Sequence, residues 1–564
     1  MVGAAAALGY TLMSNCVNVD PLVRLGQVSG LAALQLYAAA VGGPLLGVLV
    51  YSAHRGSPER HELVKRLVCA ALSGLATGVI AGGVVVALSD TPWPLGGQNG
   101  DPGVLERMAY SFLHGEGMSG VYPPGFPALI ALWAKLRYGP SGETGYALHD
   151  LQILFTALAG PMAYASWRLL LRPFWALMIS VPAAVLFLDP IRPYSHVVMI
   201  MLLPLLTRFL RETARAGERP TASLVRRAAA LGVTFGLLFL WYSGWYVWAA
   251  PGAAVLALLS FPWRAGPATA RKAGLFAGVT AATAAVVGSP LLYQMIRLGP
   301  GTHDRYAYLS VYADPAYVLG WMSDRSGGLT YRYWPTAGEM AGQTGFALLL
   351  LLGVGLGLGL GLRDPAARMA TAILAGAWPA RFWIASHMAK DQAVQLYPRT
   401  TWIIMYCLMV LALAGVRAVA HRGLGWIARA SADTTTSAAV RTALRRRVPQ
   451  LGAGLVCALA LFATMGASWS GNRYMPSSDI DSMGIDAYRA HTVQLPNGTC
   501  PRHSPVAACD EIRRKVFKPR VDRGFIWCAS VPAEDWPTVC GQPAPKSVPS
   551  RATTAPVRAH TTIR

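Results

Sequence analysis

Charge is scarce in this chain. Asp, Glu, Lys and Arg make up 13% of its 564 residues, where a soluble domain carries about 25%. Acidic residues are the scarcer half, 27 against 49 Lys and Arg. That shortage excludes an ordinary soluble globular domain. Several local signatures are missing as well: there is no Walker A sequence, no metal-protease His pair, no Cys-x-x-Cys and no Ser-His-Asp order that can be defended. Without a phosphate loop, ATP-driven work has no sequence support. The run Gly353–Gly361 (GVGLGLGLG) has the glycines of such a loop but no soluble strand before it, so it is expected to pack helices closely. No cleavable signal peptide is evident, although residues 1–14 are apolar, either a short first span or the remainder of a longer one.

What the chain has instead is apolar length. Hydrophobic residues are 54% of the total and mean hydropathy is +0.38. Apolar runs recur at 29–51, 67–88, 147–168, 173–189, 194–210, 226–242, 245–261, 273–295, 344–362, 369–387, 401–417 and 450–467, most of them long enough to span a bilayer. The expected fold is an all-α polytopic membrane protein of about 12–13 transmembrane helices. The net charge of +22 is not a nucleic-acid footprint, because the cations cluster in short connections between apolar runs. That is the pattern of cytoplasmic anchoring. Alternation of the cationic loops requires that 121–138 does not cross, so Ala128–Tyr138 is expected to be a second interfacial helix. The expected organisation is a transmembrane domain at 1–467 with an external loop at 89–146, a small extracytoplasmic region at 468–541 and a disordered tail at 542–564.

The external loop is where chemistry is expected. Asp101 stands at the entry to an amphipathic helix, with Pro102 fitting the first helical position; its ordinary alternative is a helix N-cap. A rigid Tyr122-Pro123-Pro124-Gly125-Phe126-Pro127 run follows. The same face collects the turn Asp189–His196, the pair Trp241-Tyr242, the 299–335 loop with Arg305, and Lys390–Arg399. Singly, these aromatics fit an interfacial belt, and Arg192, Arg305 and Arg399 fit snorkelling cations. Together, cations beside tyrosines on the face where cations should be few suit a lipid phosphate. Arg381, near the outer end of its span, needs a partner or a polar cavity. Cys500, Cys509, Cys528 and Cys540 fall past the last span and read as two disulfides with three possible pairings. Cys16, Cys69, Cys407 and Cys457 read as packing residues. Asp479-Ile480-Asp481 has the form of a metal-binding Asp-x-Asp but no alternating strand–helix domain around it.

Four stretches together carry a resemblance: Asp101 with its helix and Tyr122-Pro123-Pro124-Gly125; Pro193-Tyr194 leading into Met199–Leu206; Trp241-Tyr242; and Leu396-Tyr397-Pro398. In these the chain resembles the galactan 5-O-arabinofuranosyltransferases of actinobacterial cell walls, a C-type (GT-C) membrane glycosyltransferase family, over most of the membrane region. Its external C-terminal region is shorter than the family norm. The resemblance implies an inverting transfer of arabinofuranose from a polyprenyl-phosphate donor to a cell-wall galactan-type polysaccharide, at the extracytoplasmic face of the plasma membrane, with Asp101 as base. Arg399, Lys390, Arg305 and Arg381 are the candidates for the donor phosphate. Tyr122, Tyr194, His196, Trp241 and Tyr242 are the candidates for the sugars. No cofactor is required, and a divalent ion bridging Asp101 and phosphate is left open. The competing class is a transporter or flippase of a lipid-linked sugar.

Overall fold

A computed structural model describes residues 1–118, 120–139, 142–298, 350–391, 396–432, 438–479 and 482–512. Arg305, Cys528, Cys540 and the tail at 542–564 lie outside the described residues. In chain order the helices are α1 (Val2–Ser14), α2 (Arg24–Arg55), α3 (Pro58–Ala87), α4 (Gly100–Leu113), α5 (Gly125–Tyr138), α6 (Thr144–Arg168), α7 (Pro173–Phe187), α8 (Pro193–Ala214), α9 (Thr221–Trp241), α10 (Gly244–Leu259) and α11 (Pro267–Leu298). Then come α12 (Leu350–Leu360) and α13 (Pro365–Asp391), α14 (Tyr397–Ala432), α15 (Ala438–Arg473) and α16 (Ile485–Ala490).

This is an all-α polytopic membrane protein. Each predicted apolar run falls in a helix over its described residues, and among the described residues the test of length and apolarity is met by six helices, or seven if the bent pair α12–α13 counts as one span. The other described helices miss that test for physical reasons. Helices α7 and α10 have 15 and 16 residues, under the roughly 20 that a span needs. Helices α6 and α8 carry polar residues such as Asp150, Gln152, His196 and Arg208. The 14-residue α5 is too short to cross, in keeping with an interfacial placement.

Helix α3 is the central post, with 89% of its apolar window buried against 22% for α2 and α11. The outward faces of the peripheral helices show Leu25, Leu36 and Val48 on α2, Val286 and Ile296 on α11, and Leu451 and Met465 on α15. Exposed apolar residues on this scale belong against lipid. Small residues on α3 let its neighbours approach: a Cβ on Gly74 would lie 1.9 Å from the Gly3 carbonyl of α1, and one on Gly160 of α6 would lie 2.0 Å from the Ser73 carbonyl. Thr77 Oγ1 of α3 donates to the Ala157 carbonyl at 2.7 Å in the same contact. Gly160→Val should therefore lower stability by about 1–3 kcal/mol through overpacking. Gly355→Ala, whose Cβ would meet open space, should leave the unfolding midpoint unchanged or slightly higher. Thermal unfolding in detergent checks both. The glycine-rich α12 is a packing helix as expected: Gly353 and Gly357 abut Ala412 and the Leu411 carbonyl of α14, while Gly355 and Gly359 face open space.

Helix α15 continues to Arg473, six residues past the expected boundary at 467. Beyond it the chain folds back over the loop that follows α3. Trp93 Nε1 donates to the Gln494 carbonyl at 2.9 Å, and His491 Nε2 lies 3.0 Å from the Ala87 carbonyl. His503 sits between Asp20 and Asp90, at 3.3 and 2.6 Å. Residues 15–23, 89–100, 189–192 and 474–512 thus share one end of the bundle. Cys500 and Cys509 form a disulfide. Cys69 and Cys407 are buried as expected, Cys457 is half-buried, and Cys16 is exposed, contrary to a packing role.

Candidate active site

Helix α4 begins at Gly100, whose φ of +57° turns the chain sharply, a conformation glycine adopts without a Cβ penalty. The N-cap is Asn99, and Pro102 is the third helical residue rather than the first. The capping role considered for Asp101 does not hold. Its carboxylate turns instead to the Arg192 guanidinium, Oδ2 to Nη1, at 3.2 Å. Arg192 is anchored from below by Asp189, Nε to Oδ2 at 3.0 Å. Asp189 is 3% exposed in the turn between α7 and α8 at the rim of the bundle, and its Oδ1 accepts the Ile191 N–H at 2.9 Å. The Tyr474 hydroxyl donates to the same oxygen at 3.5 Å. Burial opposes ionisation of Asp189, but Arg192, His196 and the Ile191 N–H outweigh it and hold its carboxyl below the usual range.

Beside this chain of charges stands an aromatic wall. The Tyr122 and Tyr194 hydroxyls hydrogen-bond to each other. Tyr194 stacks on Phe126 with centroids 4.3 Å apart and planes 9° from parallel, and its ring lies 6.0 Å from that of Tyr242. The Arg399 guanidinium lies 5.5 Å from the Tyr242 ring centroid, within cation–π range. Burial first, then the Asp101 carboxylate, pushes the Tyr122 phenol up. Trp241 closes the wall behind Phe126, with centroids 5.7 Å apart. Sequence-distant segments from α4, the α4–α5 loop, α8, the α9–α10 junction and the start of α14 therefore meet around Asp101.

The other candidates are placed differently. Arg381 is 1% exposed, with Nη1 donating to Thr400 and Thr401 Oγ1 at 2.6 and 2.8 Å and its guanidinium 4.2 Å from the Tyr397 ring centroid. It braces the start of α14, and so the position of Arg399, rather than facing an open ligand surface. His196 is 3% exposed. Its Nδ1 lies 3.2 Å from Ser195 Oγ and from the Arg192 carbonyl, and its Nε2 has no hydrogen-bond partner among the described residues. Lys390 is exposed on the last turn of α13 and takes no part in the contacts that join the cluster among the described residues.

Sequence reasoning placed Arg192 among the outer-face cations, with snorkelling as its ordinary alternative, and named Asp189 only as part of its turn; neither was given a role in the site, and Tyr474 was passed over. The Asp189/Arg192 spacing was a usable signal, since residues three apart in a turn can pair. Tyr474 had none, lying 285 positions from its partner. Asp486 was also missed. Its carboxyl is pushed up to about 6, by burial above all, with Arg489 opposing. The folded state then holds this proton more tightly than the unfolded chain, whose carboxyl titrates near 4. The associated stability is full below about pH 4 and lost as pH rises through about 6. Asp486→Asn should remove that loss, so the variant should gain on the order of 1–3 kcal/mol over wild type between pH 4 and 7. Paired unfolding curves across that interval check it. Among the described residues no three His, Cys, Asp or Glu side chains converge as a metal site.

No family model matches the chain, and no curated protein matches it either.

Proposed function

We propose that the Asp101 cluster is the active site of an inverting membrane glycosyltransferase, moving an arabinofuranosyl residue from a polyprenyl-phosphate donor to a galactan-type polysaccharide. The observation that carries this is the convergence of a 39%-exposed side-chain carboxylate with two guanidiniums and an aromatic wall at one end of the bundle. By the distribution of cations that end faces the extracytoplasmic side of the plasma membrane. In the proposed step Asp101 takes the proton of an acceptor hydroxyl, whose oxygen bonds to the anomeric carbon from the face opposite the phosphate. The anomeric C–O bond breaks, and its electron pair leaves with the lipid phosphate. Stabilising that anion is the larger electrostatic demand, and Arg399 with Arg192 is suited to it, since a guanidinium binds phosphate through two parallel hydrogen bonds. Asp189 keeps Arg192 in place while it exchanges Asp101 for phosphate. Tyr122, Tyr194 and Tyr242 offer hydroxyls and ring faces to the sugars. No redox cofactor is needed; a divalent ion, were one used, would be held by Asp101 and would supply positive charge for the leaving phosphate, the role assigned to Arg192 and Arg399.

The test is transfer from polyprenyl-phosphate arabinose to a galactan oligosaccharide in membranes containing the protein, beside a polyprenyl-phosphate ribose donor. Arabinose-dependent extension of the oligosaccharide is expected; no extension with either donor would overturn the proposal. One observation favours the second class, a flippase: α12 and α13 meet at a 115° break, and broken helices line many transport sites. Movement of the lipid-linked sugar across proteoliposomes without sugar transfer would select it.

A further inference from the structure

Helices α8 and α14 both run away from the Asp101 cluster, and at their far ends a second site opens. Arg211 lies 17 residues beyond Tyr194 and Arg417 lies 20 beyond Tyr397, about 25–30 Å along their helix axes. A cavity of about 430 Å³ is lined there by Arg211, Arg215, Arg363 and Arg417, with Asp364 the one carboxylate among its lining residues. Its size falls in the range of small-ligand sites. The four guanidiniums come from separate parts of the chain: Arg211 from the last turn of α8, Arg215 from just beyond it, Arg363 from the break between α12 and α13, and Arg417 from α14.

Cations at this end are expected for topology alone, and an anchoring cation needs no cavity. The neighbouring arginines show the ordinary arrangement: Arg208, Arg219 and Arg227 all pair with Glu212. The cavity is balanced differently. Asp364 is engaged by Arg417. Arg211 donates to the Leu170 carbonyl at 3.3 Å, while Arg215 and Arg363 have no carboxylate within ion-pair distance among the described residues. Burial first, then the charges of Arg215 and Arg208, holds the Arg211 guanidinium below its ordinary value. An anion in the cavity relieves that crowding, and several forked guanidiniums suit the multiple oxygens and charge of a phosphate, which a monatomic halide cannot offer.

We infer that this cavity is a phosphate-binding site, taking either a phosphorylated soluble ligand or the phosphate of an anionic lipid headgroup, on the face opposite Asp101. The site is separate from the proposed sugar transfer, and its test does not depend on that activity. Full-length protein in phosphatidylcholine nanodiscs is titrated with inorganic phosphate and with inorganic pyrophosphate. In a parallel arm it is reconstituted with an increasing fraction of phosphatidylglycerol. The readouts are the unfolding midpoint and the retention of lipid in native mass spectrometry. At least one arm should raise the midpoint, with the soluble arm marking a soluble ligand and the lipid arm a headgroup. The half-saturating concentration should rise at least tenfold in the double variant Arg215→Gln, Arg363→Gln and stay unchanged in Arg60→Gln, an exposed arginine that does not line the cavity. Arg215 and Arg363 are exposed, so their replacement leaves the packing intact. Wild type that responds to no arm, or a response that survives undiminished in the double variant, would overturn the inference.

Discussion

Asp101→Asn is expected to lower sugar transfer by about 10²–10⁴-fold, the contribution of a positioned general base. The amide has the shape of the carboxylate and its oxygen still accepts from Arg192, so the 3.2 Å contact persists in weakened form. Asp101 is 39% exposed and Arg192 25%, and pairs so open to water contribute at most about 1 kcal/mol. Folding should therefore be nearly unchanged, which separates loss of the base from loss of the protein. Asp101→Glu keeps the charge and moves it by one methylene, and it should retain part of the rate. Initial rates at saturating donor, with unfolding midpoints alongside, make the comparison. An Asn variant as active as wild type would assign the proton transfer elsewhere.

Asp189→Ala should have the largest effect on stability. The side chain is buried and holds the Ile191 N–H, the Arg192 guanidinium and the Tyr474 hydroxyl at once. Its removal takes one carboxylate from Arg192, which keeps its contact with Asp101, and cuts the tie between the α7–α8 turn and the segment after α15. Breaking a buried pair from one side costs about 3–5 kcal/mol. Transfer should fall too, because Arg192 loses its anchor. The pH dependence has a definite sign. The Asp189 carboxyl titrates below its usual range in the folded protein, so its stabilisation is present above the ordinary carboxylate pKa and is lost as pH falls through the folded value. Wild type and Asp189→Ala should therefore converge in stability in acid, with the variant the less stable at neutral pH; Asp486→Asn should also approach wild type in acid, but as the more stable protein at neutral pH. Unfolding curves for both proteins from neutral to acid pH measure it.

The contrast between fold and site follows from the range of the forces involved. Helices and membrane character were legible because apolar runs and cationic connections are local patterns, and the packing role of the glycine run at 353–361 followed from the same periodicity. Helix lengths were less legible, since α7 and α10 end early and α6 and α8 carry polar side chains that an average over a run conceals. Within the site, Asp101, Tyr122, Tyr194, Tyr242 and Arg399 could be picked out as types out of place in their loops. Their joining residues could not. Arg192 looked like any cation at an interface until Asp189 and Asp101 were found on either side of it. Arg381, held in reserve as a phosphate ligand, has described partners in Thr400, Thr401 and Tyr397 that its own stretch did not reveal. The Asp189–Arg192 spacing left a local mark that went unread, whereas the pairing of Arg192 with Asp101 and of Tyr474 with Asp189 leaves none in local sequence.

The most direct test of the account is a structure of the Asp101→Asn protein with polyprenyl-phosphate arabinose bound. The account predicts the phosphate within hydrogen-bond distance of Arg192 or Arg399. The anomeric carbon should then open toward residue 101, with room for an acceptor oxygen at about 3–3.5 Å. A donor phosphate held away from both guanidiniums, or at the opposite end of the bundle, would contradict it.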